Sequence, residues 1–196
     1  MLTAWGYEVD SLPDLITPEQ FSDATGGRYD GDGRIPGAIA AASAAIRSFC
    51  GWHVAPALDC SITLDGEAGD IWLPTCALNS VTSATVNGAE VEVSGHNRRG
   101  RVRLAGCGYW RGGLGNVTVD YNAGFDANIA PDLVSIVAKR VVAEVALTTY
   151  GVASESAGGV SISYSGTALS DSGGTYLPDD VRQALMPYKL VRAHAA

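Results

Sequence analysis

The sequence predicts an α+β protein: a small helical bundle of three to four helices, an inserted antiparallel β unit and a protruding β-ribbon near the C-terminus. Three observations carry that expectation. Apolar residues recur at helical spacing in the first quarter and again after Pro131. Between residues 57 and 122 they alternate with a period of two, and after Gly151 they give way to a Ser/Gly-rich run. With 196 residues, 46% of them hydrophobic, the chain is long enough to bury a core as one domain or two small ones.

The first helix starts in "ITPEQFSDATGG". Thr17 is placed as the N-cap, Pro18 at the first helical position and Gln20 at the third, which is a capping box, and Gly26 ends the run. "GGRYDGDGR" follows as a loop. Its D-x-D-G fragment is like the start of a calcium loop, but the twelfth position from Asp30 is Ala41, where a bidentate Glu is needed, so it reads as a turn. The second helix begins at Ile35 in "IPGAIAAASAAIRSFCGW", with Ile35, Ile39, Ile46 and Phe49 broadly on one face. Its alanines permit close helix contact, Gly51 is the expected C-cap, and Trp52 and His53 read as a hinge.

"DCSITLDG", "DIWLP", "VTSATVNGAEVEV", "RVRLAG" and "NVTVDYNAGF" are short alternating runs, expected to make five or six antiparallel strands. Val86-Asn87-Gly88-Ala89 is a two-residue hairpin signal. From Pro131 to Gly151 a helical stripe of Leu133, Ile136, Val137, Val141 and Val145 appears; its β-branched content suits a strand, but about twenty residues is too long for one. A ribbon and a short helix at about 178–186 close the order. Residues 1–56 and 123–186 are thus read as the helical core, with the ribbon at 156–170, residues 57–122 as the β insertion and 187–196 as a basic tail.

Composition narrows the function. A net charge of −8 argues against a dedicated duplex-DNA binder, which needs clustered cations. It is compatible with DNA passing nearby, since an acidic surface repels a polyanion. The most apolar helix carries Lys139, Arg140 and Glu144, so no membrane span is expected, and "MLTAWGYEVD" lacks the basic and apolar regions of an export signal. The expectation is a soluble chain made in the cytoplasm.

Cys50, Cys60, Cys76 and Cys107 show no C-x-x-C spacing, which argues against zinc and for reduced, mostly buried thiols. His53, His96 and His194 stand outside any motif, G-x-S-x-G is absent, and "GCGYWRGGLGN" is out of step with a dinucleotide fingerprint. No catalytic, metal or cofactor residue is assigned, and no enzyme is expected. Arg98, Arg99, Arg101 and Arg103 crowd one strand. Three readings stay open for them: a solvated strand face, an intersubunit contact onto acidic surface, or contact with DNA phosphates. The excess of acid elsewhere favours pairing over DNA.

Several segments in this order resemble the head-to-tail connector (adaptor) proteins of long-tailed bacteriophages and gene-transfer particles. "ITPEQFSDATG" and "IPGAIAAASAAIRSFCGWHV" are similar to that family's first two helices. "VTVDYNAGFDANIAPDLVSIVAKRVVAEV" resembles its strand, turn and Pro-initiated long helix. "ESAGGVSISYSG" and "LPDDVRQALMPYKLVR" resemble its ending, with Lys189 where the family more often has Arg. The resemblance spans nearly the whole chain.

It implies a structural virion protein of the neck, forming a ring, usually twelve-fold, that joins the portal of the DNA-filled head to the tail or stopper (tail-completion) protein around the DNA exit channel. It implies no cofactor and no sequence-specific DNA contact. Within that reading, Met186, Pro187, Tyr188, Lys189, Leu190, Val191 and Arg192 form a portal-docking tail whose removal leaves a folded protein. Val160, Ile162 and Tyr164 form an inter-subunit or tail-side ribbon. Two other classes stay open: a carbohydrate or cell-surface binding module stacking sugars on Trp72, Tyr109 and Trp110, and, least favoured, a hydrolase with dispersed carboxylates.

Overall fold

A computed structural model describes residues 1–67, 69–105, 110, 112–126, 131–149, 154–157, 160–163, 177 and 179–190, of which 131, 146–149, 154–157 and 160–163 are described by backbone only. The elements run β1 (Tyr7–Val9), α1 (Pro18–Thr25), α2 (Ile35–Cys50), β2 (Leu58–Gly66), β3 (Ile71–Trp72), β4 (Leu78–Val86), β5 (Ala89–Glu90), β6 (Val93–His96), β7 (Arg101–Leu104), β8 (Gly113–Ala123), α3 (Pro131–Thr149), β9 (Ser154–Ala157), β10 (Val160–Ser163) and α4 (Asp179–Leu185), with a 3-10 turn at Met186–Tyr188. The fold is mixed α+β. It divides into one unit of Met1–Pro13, Arg47–Ala130 and Pro187–Ala196 and another of Asp14–Ile46 and Pro131–Met186.

The first unit is built on two antiparallel sheets. One has five strands in the order β1-β2-β8-β4-β5, the other three in the order β3-β7-β6. Strand β8 is central: Tyr121 lies between Cys60 and Val81, and Val119 between Ile62 and Ala84. Alternation turns Cys60, Ile62, Val117, Val119 and Tyr121 inward, where they share one core with Ile71, Val102, Leu104 and Trp110. The Asn87-Gly88 turn joins β4 to β5 with both residues at positive φ (52° and 77°), as a type I′ hairpin requires.

This unit takes in residues on both sides of the 57–122 segment. Tyr7-Glu8-Val9, which the sequence groups with the helices, pairs with Cys60–Ile62 as an edge strand. Three alternating residues are too few to stand out from a loop. Residues 187–190 fall within this unit as well.

The second unit is helical. Thr17 caps α1 as expected, accepting from the Gln20 N–H at 3.2 Å while the Gln20 side chain accepts from the Thr17 N–H at 2.9 Å. Gly26 closes the helix in the left-handed region. Helix α2 buries Ile35, Ala38, Ile39, Ala42, Ala45 and Ile46 and leaves Ala40, Ala41 and Ala44 exposed. Buried Ser43 uses its hydroxyl to accept from the Leu15 N–H at 3.0 Å. Helix α3 packs against α1 and α4 and buries Leu133, Ile136, Val137, Val141 and Val145, the expected stripe. Arg140, 2% exposed, reaches Glu144 at 2.6 Å one turn on. Strands β9 and β10 pair antiparallel, Val160 opposite Ala157 and Ile162 opposite Glu155.

Trp52 and His53 are not a hinge: both are buried, at 0% and 1% exposure. A hinge needs loosely held backbone, and here the carbonyls of His53, Val54 and Ala55 are all bonded. Arg47 donates from Nε to the His53 carbonyl at 2.9 Å and from Nη2 to the Ala55 carbonyl at 2.7 Å, while the Phe125 N–H donates to the Val54 carbonyl at 2.8 Å. Between those bonds Val54 is held at φ 68°, a conformation that a β-branched residue adopts only under constraint. The His53 ring Nε2 lies 2.9 Å from the Ala123 carbonyl and must donate to it. Nδ1 therefore accepts from the Tyr7 hydroxyl at 2.7 Å, and that oxygen accepts from the His53 N–H at 3.0 Å.

Burial pushes the His53 pKa down to about 4, with the nearby Arg47 charge adding to the effect. The unfolded chain, near 6.5, then binds a proton that the folded chain refuses. This contribution to stability is complete above pH 6.5 and is lost as the pH falls to about 4. Urea unfolding at pH 7 and pH 4.5 should show a loss of about 2.5 kcal/mol from this group. In His53→Gln the fall across that window should be smaller by the same amount; an unchanged pH slope would show that His53 is not its source.

Candidate interaction surfaces

The C-terminal segment is seated on its own chain. The Trp52 indole N–H donates to the Tyr188 carbonyl at 2.7 Å, and the Leu190 N–H donates to the Cys50 carbonyl at 2.8 Å. Phe125 meets the Tyr188 ring edge-on at 5.1 Å between centroids. Lys189 places its ammonium 4.7 Å from the Phe49 centroid, and its carbonyl accepts from the Cys76 thiol at 3.5 Å. Of the residues expected to dock outward, Tyr188 is buried and Leu190 half-buried, while Met186, Pro187 and Lys189 are exposed. Val191 and Arg192 lie outside the described residues, as does Tyr164 of the ribbon.

The sequence reading missed this bed. Trp52 directly after the helix-ending Gly51 was the available signal; Phe125, far away in the chain, offered none.

The basic residues divide. Arg101 and Arg103 share the outer face of β7, with Val102 and Leu104 buried beneath, as alternation requires. Both pair with Asp70, just before β3: Arg103 is bidentate, at 2.7 Å and 2.9 Å, and Arg101 bonds through Nε. Those pairs hold the Asp70 carboxyl below the usual carboxylate range. Arg101 also stands over Trp72, which is 48% exposed, at 5.8 Å. Arg98 instead covers Phe125 at 5.3 Å, and Arg99 is exposed in the turn. Gly100 in that turn has φ 86°, and a Cβ there would lie 2.4 Å from the Leu73 carbonyl oxygen, so only glycine brings β7 this close to the chain after β3. Asp70 went unnoticed because the pair spans 31 and 33 residues.

The proposed sugar platform does not form as expected. Trp110 is fully buried, Tyr109 lies outside the described residues, and Trp72 is left with a guanidinium on its face. The thiols are ill-suited to nucleophilic chemistry: burial pushes Cys50 and Cys60 up to about 12, so neither is a thiolate at neutral pH. Cys50, Cys60 and Cys76 are free, and Cys107 is outside the described residues. Among the described residues no group of three or more His, Cys, Asp or Glu side chains is placed to hold a metal ion. No described helix is long and apolar enough to cross a membrane.

No family model matches the sequence, and no curated protein matches it. Solved structures do. A chain in the neck of an empty GTA (gene transfer agent) particle, computed with C6 symmetry, superposes with a TM-score of 0.61 at 17% identity, over 97% of this chain and 98% of that one. A chain in the neck of a native GTA particle, computed with C12 symmetry, superposes with a TM-score of 0.54 at 18% identity, over 95% and 98%. The fold is therefore that of a particle-neck chain over nearly its whole length.

The seat of the C-terminal segment has a measurable consequence. Tyr188→Ala should lower unfolding stability by roughly 3–5 kcal/mol, as expected for emptying a buried aromatic site. Met186→Ala, at a 57% exposed position, should change it by less than about 0.5 kcal/mol. Equal effects in urea unfolding would mean that the segment is not seated as described.

Proposed function

We propose that this chain is a structural subunit of a particle neck, whose copies form a ring joining the portal of a DNA-filled head to the tail or stopper protein. The observation that carries the reading is the superposition over 97% and 95% of the chain on chains from GTA necks computed with C6 and C12 symmetry. A ring around a DNA exit channel also suits a chain of net charge −8, whose surface repels a passing polyanion.

In this reading the portal is gripped by what the seated segment leaves exposed, Met186, Pro187 and Lys189, together with Val191 and Arg192 beyond it. Tyr188 and Leu190 hold this segment on the core. The ribbon of Val160, Ile162 and Tyr164 reaches a neighbouring subunit or the next ring. Assembly takes place on the virion neck after synthesis in the host.

The seat alters the experiment. Deleting residues 186–196 would strip Tyr188 from Trp52 and Phe125 and confound docking with folding. Truncation after Leu190, combined with Lys189→Glu, keeps the Tyr188 and Leu190 bonds and gives up only the Lys189 ammonium over the half-buried Phe49 ring. Incubated with purified portal and viewed by negative-stain microscopy, the full chain should cap portals with rings. The variant should keep its unfolding midpoint and cap at least about tenfold fewer portals. Equal capping would refute docking through this segment, and absence of any complex between full chain and portal would overturn the neck reading.

A further inference from the structure

The two sheets of the first unit carry opposite charge. The strands of the five-stranded sheet contain no Lys or Arg, and Glu8, Asp59, Asp65, Glu90 and Asp120 are their acidic residues. None of these five makes an ion pair among the described residues. The strands of the three-stranded sheet contain no Asp or Glu, and bear Trp72, His96, Arg101 and Arg103. Because both sheets turn their apolar residues into one core, their outer faces look away from each other.

The carboxylate face is ordered by strand register. Glu8 lies opposite Ser61, Ser61 opposite Asp120, and Asp120 opposite Ser83, while Thr63, Thr118 and Thr85 make the next row. Neutral donors orient the acids without neutralising them: the Ser83 hydroxyl donates to Asp120 at 2.6 Å, and the Asn122 amide to Asp59 at 2.7 Å. On the other face, two guanidinia around Asp70 leave one net positive charge. Arg101 keeps both terminal amino groups and Arg103 one without a partner among the described residues. These line an open cleft of about 360 Å³ with Ser94, His96 and Asn97. Unsatisfied guanidinium donors over an exposed indole fit carboxylates on a polar surface.

We propose that the Trp72/Arg101/Arg103 face of one copy docks on the carboxylate face of the five-stranded sheet of a second copy. The inference rests on the ring reading and names the surfaces that would close the ring. Each chain carries both halves on opposite sides of one core, so the contact is heterologous and repeats from copy to copy, the kind that generates rings. Each contact also relieves part of the excess negative charge.

Two variants test it. D70R/R101E/R103E inverts the triad while keeping opposite charges within it, and E8K/D59K/E90K inverts the other face. Sedimentation velocity at low salt, over a concentration series, should show self-association of the wild-type chain that weakens as salt rises. Each variant alone should associate at least about tenfold more weakly, because like charges then face each other. An equimolar mixture should recover association, since the altered face of each variant matches the altered face of the other. Melting curves report folding, and the milder pair R103Q and E8Q should weaken association in the same direction if a triple variant is unstable.

Wild-type association in both variants, no association of the wild type at low salt, or no recovery on mixing would overturn the proposal. So would loss of duplex DNA binding as the sole effect of inverting the arginine face. Rings that cap portals normally with both inverted variants would sink this docking and leave the neck reading intact. Salt-sensitive, complementing self-association in a chain that never binds portal would do the reverse.

Discussion

The buried guanidinium of Arg47 is the constraint on which the first unit depends. At 5% exposure it donates to the carbonyls of Pro13, His53 and Ala55, with 2.6 Å to Pro13. A charge taken out of water is tolerated only where many oriented dipoles replace the water. Here those dipoles come from the segment that follows β1 and from the turn that leads into β2. The last turn of α2, the N-terminal strand and the start of the sheet are thereby joined at one side chain. The strained Val54 lies inside that arrangement and persists because the bonds on either side of it allow no other path.

From this node the proposed interaction surfaces follow in sequence. Trp52, beside the node, has its indole N–H turned to the Tyr188 carbonyl, which seats the end of the chain. Phe125 bonds its own N–H to Val54, and its ring contacts Trp52, Tyr188 and Arg98. A packed aromatic group thus ties the exit of the chain to the turn before the basic strand. Of the surfaces proposed for assembly, the basic strand and the Tyr188–Leu190 segment are mounted on this packed core and would need little ordering when a partner arrives, ordering being the usual cost of association.

Much of the local structure was legible in the sequence because short-range chemistry dictates it. Thr17 and Gln20 cap a helix wherever they occur three residues apart before an apolar run, and Asn87-Gly88 turns a hairpin because both residues tolerate positive φ. The stripe on α3 announced a helix despite its valines, since its length leaves no room for a strand. The inward and outward sides of β7 followed from parity alone. The edge strand at Tyr7–Val9 did not, because an edge strand is defined by its partner and not by its own three residues.

By itself the sequence determined the α+β class, the first helix's cap, the hairpin turn, the burial parity of β7 and the chain-wide order of segments that resembles a particle-neck protein. All of these depend on residues within one turn or one strand of each other. Only the tertiary structure decided that Tyr188 faces inward, that Asp70 sits between Arg101 and Arg103, and that the acidic and basic strands lie on opposite sides of a shared core. Those contacts join residues 136, 31 and 33 positions apart. At such separations pairing is set by how the sheets stack and where the chain returns, and no local pattern encodes that.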